Sequence, residues 1–125
     1  FWACEEEIDK RFGELSEWRK GLPKDIQLVA VAGTATTLAA WHMNMKTFDA
    51  AAIDQITLTR GDLHRLVEEL KWRSVAERKD LPGVDAGRAD VLLAGALILW
   101  RAMEILDFRE ARVSTRGLRY GVLGL

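Results

Sequence analysis

The residues best suited to chemistry lie in two glycine-centred turns. The first is "AGTATT", Ala32 to Thr37, which follows a short apolar run. Gly33 would let the backbone approach a ligand closely. Free N–H groups at the start of a following helix favour an anion. The hydroxyls of Thr34, Thr36 and Thr37 can donate to phosphate oxygens. No Gly-Lys-Thr follows, so this is not a P-loop. A tight turn at Gly33, a cap at Thr34 and packing by the other threonines would account for the same residues. The second turn is "STRGLRYG", which sets Arg116 and Arg119 around Gly117. Guanidinium groups suit phosphate and carboxylate, and a solvated basic face is the plainer reading. "GRAD", Gly87 to Asp90, places Arg88 and Asp90 at a helix start. Asp90 there suits the helix dipole, and Arg88 would meet an anion only if that helix begins beside the glycine turns.

Other chemistries find little support. His42 and His64 have no Cys or carboxylate at metal-ligand spacing, so no metal site is expected. The single cysteine, Cys4, excludes an internal disulfide and has no partner for nucleophilic work. No carboxylate pair stands out as an acid/base dyad among the 19 acidic residues. A net charge of -1 gives no reason to expect nucleic acid. The longest apolar run, Val91 to Trp100, is too short to span a bilayer.

The elements that must position these residues follow from apolar spacing. Length suffices for one domain with a real core, here taken as residues 1–125. Glu5 to Lys20 reads as one helix with Ile8, Phe12 and Leu15 on a face, ended by Gly21 and Pro23. Leu28 to Ala32 reads as a buried strand. A helix capped by Thr34 runs on to Met43. Ile56 to Thr59 is a second strand, and Thr59 with Asp62 makes a capping box before an amphipathic helix to Trp72. A short helix spans Val75 to Lys79. The central helix runs from Gly87 to Leu106, apolar nearly all round and hence buried on most sides. Glu110 to Thr115 is a last strand. The alternation of strands and helices predicts an α/β arrangement with parallel pairing. Ligands then bind beyond the carboxyl ends of the strands, where both glycine turns fall.

Taken in order, four segments resemble the Ppx/GppA phosphatase family. These are "VAVAGTATTLAA", "ITLTRGDL", "ERKDLPGVDAGRADVLLAGALIL" and "VSTRGLRYGVL". The resemblance implies an α/β, helix-rich fragment of an actin-like, ribonuclease H-like domain with short parallel strands. It implies a phosphoanhydride hydrolase acting on polyphosphate or guanosine pentaphosphate with Mg²⁺, in a cleft between two lobes. Gly33 and Thr34 would face that cleft, with Arg88 and Arg119 touching substrate. The family's two phosphate loops and its water-activating glutamate have no match here. A His-Gly pair common before the Leu-Thr segment reads Asp54-Gln55. The resemblance therefore implies the second lobe alone, without a catalytic residue or a metal ligand of its own, inactive until joined to an N-terminal lobe. The opening without Met fits a piece of something longer. A cytoplasmic location, no membrane partner, and dimerisation through an uncovered apolar surface complete the expectations. A non-catalytic lobe that binds a phosphorylated ligand or partner protein, and a sugar or acetate kinase lobe, are the alternatives.

Overall fold

The computed structural model describes residues 2–45, 47, 49–81 and 91–116. The elements are α1 (Trp2–Gly13), α2 (Ser16–Lys20), β1 (Leu28–Ala30), α3 (Ala32–His42), α4 (Ala50–Ile53), β2 (Thr57–Thr59), α5 (Arg60–Lys71), α6 (Val75–Lys79), α7 (Leu92–Ile105) and β3 (Glu110–Val113).

The strands form one sheet in the order β1-β3-β2. β1 and β3 pair in parallel, with Ala30 opposite Val113. β2 runs antiparallel to β3, with Leu58 opposite Ala111. The parallel pairing expected from the alternation thus holds for one pair and fails for the other. A three-residue strand has no direction of its own. β2 takes the direction that lets Thr59 turn straight into α5.

One face of the sheet is covered and the other is open. Leu58, Ala111 and Val113 are fully buried, whereas Val29, Thr57 and Arg112 are exposed in register across the three strands. Side chains alternate faces along a strand, so a single choice of register sets all of these. The covered face carries α3 and α5, and α7 packs against both. α5 contributes Leu63, Leu66, Val67 and Leu70 at helical spacing, all buried. α7 contributes Leu92, Ala96, Leu97 and Met103. It is less enclosed than its composition suggests: Val91, Ala94 and Ile98 form an exposed stripe.

Caps and breaks fix the helix ends. The Thr59–Asp62 capping box is present, with Asp62 N–H donating to Thr59 Oγ1 at 3.1 Å and Thr59 N–H to Asp62 Oδ2 at 3.0 Å. Ser74 and Glu77 make a second one on α6, and the Ser74 N–H helps to hold the Glu77 carboxyl below its ordinary value. α3 and α7 end alike, with Asn44 and Asp107 at φ 56. The next amide reaches back to close the last turn, Met45 N–H to Ala40 O and Phe108 N–H to Met103 O, each at 2.9 Å.

The N-terminal helix is not continuous. It breaks after Gly13, a poor residue for a helix interior, and resumes as α2. α1 is tied to α7 by Arg101, whose Nε and Nη2 donate to Asp9 at 2.7 and 3.1 Å. α2 crosses the far end of α7, where Arg19 Nε donates to Leu106 O at 2.8 Å and the guanidinium lies over Phe108.

α3 and α7 approach closely at Gly95. A side-chain carbon built on Gly95 would fall within the Thr34 side chain, 2.9 Å from its Oγ1 and 3.1 Å from its Cβ. We expect Gly95→Ala to destabilise the chain. Overpacking costs about 1–3 kcal/mol, against a helix-propensity gain of no more than about 1 kcal/mol. The melting temperature should fall, and combining it with Thr34→Ala should recover part of the loss. An unchanged melting temperature would show that Thr34 can swing aside.

Candidate functional site

β1 and β3 end side by side, and their exits build the candidate site. β1 stops at Ala30, two residues before the expected Ala32. Val31 is extended at φ -128 and ψ 172, and α3 starts at Ala32. Thr34 is therefore not the N-cap, correcting the expectation from the sequence. It lies inside the first turn, with its side chain against Gly95. Val31 has no side-chain acceptor to offer, and no side chain caps α3. Its first N–H groups, including those of Gly33 and Thr34, carry the partial positive charge of an uncapped helix start.

The other threonines divide. Thr36 Oγ1 donates to Gly33 O at 3.1 Å, a bond back along its own helix. Thr37 is 7% exposed and belongs to the buried face, so packing, the plainer reading of its hydroxyl, describes it.

The exit from β3 lies next to this turn. The ladder runs one step past the assigned strands, with Ser114 N–H donating to Ala30 O at 3.0 Å. On the other side, Val113 N–H donates to Ile56 O at 3.0 Å. The chain then passes through Thr115 to Arg116, which is exposed. Gly33, Thr34 and Thr36 thus share one end of the sheet with Arg116. Arg88, Gly117 and Arg119 lie outside the described residues.

One residue here was not singled out from the sequence. Asp54 ends the single turn of α4 and is half-buried. Its Oδ1 accepts from Thr115 N–H at 2.7 Å, and the Thr115 hydroxyl lies 3.0 Å from both carboxylate oxygens. These bonds lower the carboxyl's pKa, the backbone one most. Partial burial opposes the shift, and the Arg116 and Arg112 charges add to it. The only sequence signal was negative: Asp54-Gln55 stands where the family often has His-Gly.

The remaining candidates fall elsewhere. His42 contacts α5, its Nδ1 2.9 Å from Arg65 Nη2. His64 stacks on Trp100, and Cys4 is exposed. Among the described residues, no group of three or more His, Cys, Asp or Glu is placed to hold a metal. None of the described helices is long and apolar enough to cross a membrane. A broad depression also opens on the uncovered sheet face and reaches Asp54; Arg19, Lys24, Arg109 and Arg112 line it, but so do Asp25, Asp54, Asp107 and Glu110. Its mixed charge gives no preference for an anion.

Comparison with known proteins bears on this geometry. The model of the Ppx/GppA phosphatase family matches residues 3–124. Exopolyphosphatase 2 of Mycobacterium tuberculosis is 37% identical over 71 residues, 57% of this chain and 22% of that protein. A bifunctional 3-dehydroquinate synthase/phosphatase of Fusobacterium nucleatum is 28% identical over 101 residues, 81% of this chain and 14% of that protein. Among solved structures, the type II variant of the Aquifex aeolicus Ppx/GppA phosphatase superposes with a TM-score of 0.85 at 32% identity, covering 95% of this chain and 38% of that one. An exopolyphosphatase from Cytophaga hutchinsonii shares the fold, with a TM-score of 0.70 at 24% identity. The helix-rich α/β fold of the actin-like class is thus the one expected. The match covers 22% of the Mycobacterium tuberculosis exopolyphosphatase, and the chain spans 38% of the Aquifex aeolicus phosphatase.

The Asp54 carboxylate carries a pH dependence of known sign. Its folded pKa lies below the ordinary 3.8, so its bonds stabilise the fold fully above that value and are lost as pH falls through the folded one. We expect Asp54→Asn to melt below the wild type at pH 7. The gap should narrow as pH drops below about 4. Melting curves of both proteins from pH 7 to pH 3 test this, and a gap independent of pH would contradict it.

Proposed function

The chain belongs to the Ppx/GppA phosphatase family, and from that membership we propose that it is the second actin-like lobe of a phosphoanhydride hydrolase. Its substrate would be polyphosphate or guanosine pentaphosphate, releasing orthophosphate. The observation that carries this reading is the shared end of β1 and β3. There, an uncapped helix start at Gly33 and Thr34 adjoins the exposed Arg116. Backbone N–H groups at a helix start and a guanidinium are complementary to a phosphate chain.

The geometry refines the part each residue plays. Thr34 contributes its backbone N–H, because its side chain is committed to Gly95. Gly33 contributes its N–H and a backbone unobstructed by a side chain. Arg116 supplies the charge. Arg88, Gly117 and Arg119 enter on the resemblance alone. Thr36 is secondary, since its hydroxyl already bonds to Gly33 O.

Phosphoryl transfer needs an in-line water, a group that orients it and positive charge on the developing anion. This lobe supplies the last of these. In this reading the water-orienting glutamate belongs to an N-terminal lobe across the cleft. Among the described residues no group of three or more His, Cys, Asp or Glu is placed to hold a metal, and in this reading Mg²⁺ is held by the N-terminal lobe and the substrate phosphates. Location in the cytoplasm accords with such substrates. The exposed Val29 and Val31 on the open side of the sheet suit burial against a further lobe or a second copy.

Two outcomes are expected. Titration with tripolyphosphate, and separately with guanosine pentaphosphate, should move the amide resonances of Gly33 to Thr36 and of Ser114 to Arg116. The tighter ligand identifies the substrate class. Arg116→Ala should weaken binding about tenfold, as for a lost charge-assisted bond. No shifts at millimolar ligand would defeat the assignment of these turns. The chain alone should release no orthophosphate from either compound, as measured by a colorimetric phosphate assay. Turnover by the isolated chain would refute the two-lobe reading.

A further inference from the structure

The acidic residue beside the second turn is an unexpected neighbour for an anion site. By charge alone, Asp54 should repel a phosphate. Its bonding suggests another part. β2 and β3 pair antiparallel, and the Val113 N–H donates to the Ile56 carbonyl. Alternate residues of β3 face β2 with their N–H groups. The next in the series, Thr115, would meet the carbonyl of residue 54 if the partner strand continued. It does not: Asp54 is helical, at φ -64 and ψ -12, and closes α4. The Asp54 carboxylate takes the place of that carbonyl, accepting the Thr115 N–H at 2.7 Å and the hydroxyl at 3.0 Å. The carboxylate thus carries the ladder one step beyond the strand, up to the residue before Arg116.

The mount for this carboxylate is itself firm. Ile53 is fully buried and Ile56 nearly so. Asp49 caps the single turn that ends at Ile53, accepting from Ala52 N–H at 3.2 Å. Asp54 N–H returns to Ala50 O, and Ile56 N–H to Ile53 O, each at 3.0 Å. Thr115 is therefore held from a rigid element, and both of its polar donors are engaged at once. Arg116 N–H in turn donates to Ser114 Oγ at 3.1 Å.

We propose that Asp54 is a positioning residue for anion binding, clamping Thr115 so that Arg116 is presented at the ends of β1 and β3. This rests on the reading of the two turns as a phosphate site. The guanidinium binds at lower entropic cost when the backbone that bears it is already fixed.

The sign of one measurement separates positioning from simple electrostatics. Asp54→Ala and Asp54→Asn both remove one negative charge near the site. If charge alone mattered, both would bind tripolyphosphate more tightly. If Asp54 positions Arg116, Asp54→Ala binds about three- to tenfold more weakly than wild type, and Asp54→Asn, which keeps one acceptor, falls between. Thr115→Val leaves charge unchanged and should show a smaller loss, with Thr115→Ser close to wild type. Amide exchange at Thr115, slow in the wild type, should accelerate in Asp54→Ala without ligand.

Calorimetric titration of the full chain with tripolyphosphate decides the matter, with circular dichroism to confirm folding. Wild-type or tighter affinity in folded Asp54→Ala overturns the proposal. If that variant does not fold, wild-type affinity in Thr115→Val does so. Failure of the wild type itself to bind removes the phosphate reading and this one with it, whereas binding that Arg116→Ala weakens and Asp54→Ala does not removes this one alone.

Discussion

The fold turns on a close approach of two helices. α3 must begin within a residue of the end of β1 and still pack its Ala35, Leu38 and Ala39 into the core. That brings its first turn against α7, where Gly95 presents no side chain to Thr34. Ala96 continues the narrow surface, fully buried beside Gly95. With small residues on both helices, the start of α3 is set by contact with α7 as much as by its connection to β1. This explains why the helix does without a side-chain cap. Packing fixes its origin, and the N–H groups of the first turn are left for something else.

The sheet supplies the second frame. β3 is central and pairs with both neighbours, so its direction decides which ends face which turn. Parallel pairing with β1 puts the exits at Ala30 and Val113 side by side. Antiparallel pairing with β2 puts Asp54, which precedes β2, at that same end. A parallel β2 would have carried Asp54 to the opposite end of β3, and Thr115 would have had no such partner. The departure from uniform parallel order is what completes the site.

Many local signals were readable in the sequence, although the break at Gly13 was passed over. The Thr59–Asp62 box and the buried stripe of α5 depend on residues a few positions apart, and both are present. Ser74 and Glu77 carried the same kind of signal at the start of α6. The start of α3 was misread because a hydroxyl after a glycine is a good cap by propensity, while the actual origin is decided by Gly95, 61 positions beyond Thr34. The direction of β2 was hidden for a like reason, since three residues with one buried side chain fit either direction. Asp54 was harder still. Its partner is 61 residues away, and nothing around it marks a carboxylate about to stand in for a strand carbonyl.

These two anchors work on opposite sides of the same gap. Gly95 fixes the turn after β1 through shape, and Asp54 fixes the turn after β3 through hydrogen bonds. The first leaves N–H groups without side-chain acceptors, and the second leaves a guanidinium near a carboxylate whose oxygens already serve Thr115. A site of the kind proposed, for a highly charged chain of phosphates, needs this division. Donors that were free to reorganise would lose on ordering much of what they gain on binding. Donors already satisfied within the protein would gain little from an anion. Here the backbone is satisfied through the Arg116 N–H, while Gly33 and Thr34 at the start of α3 meet no side-chain cap and the Arg116 side chain is exposed, which is where the proposed reading puts a phosphate.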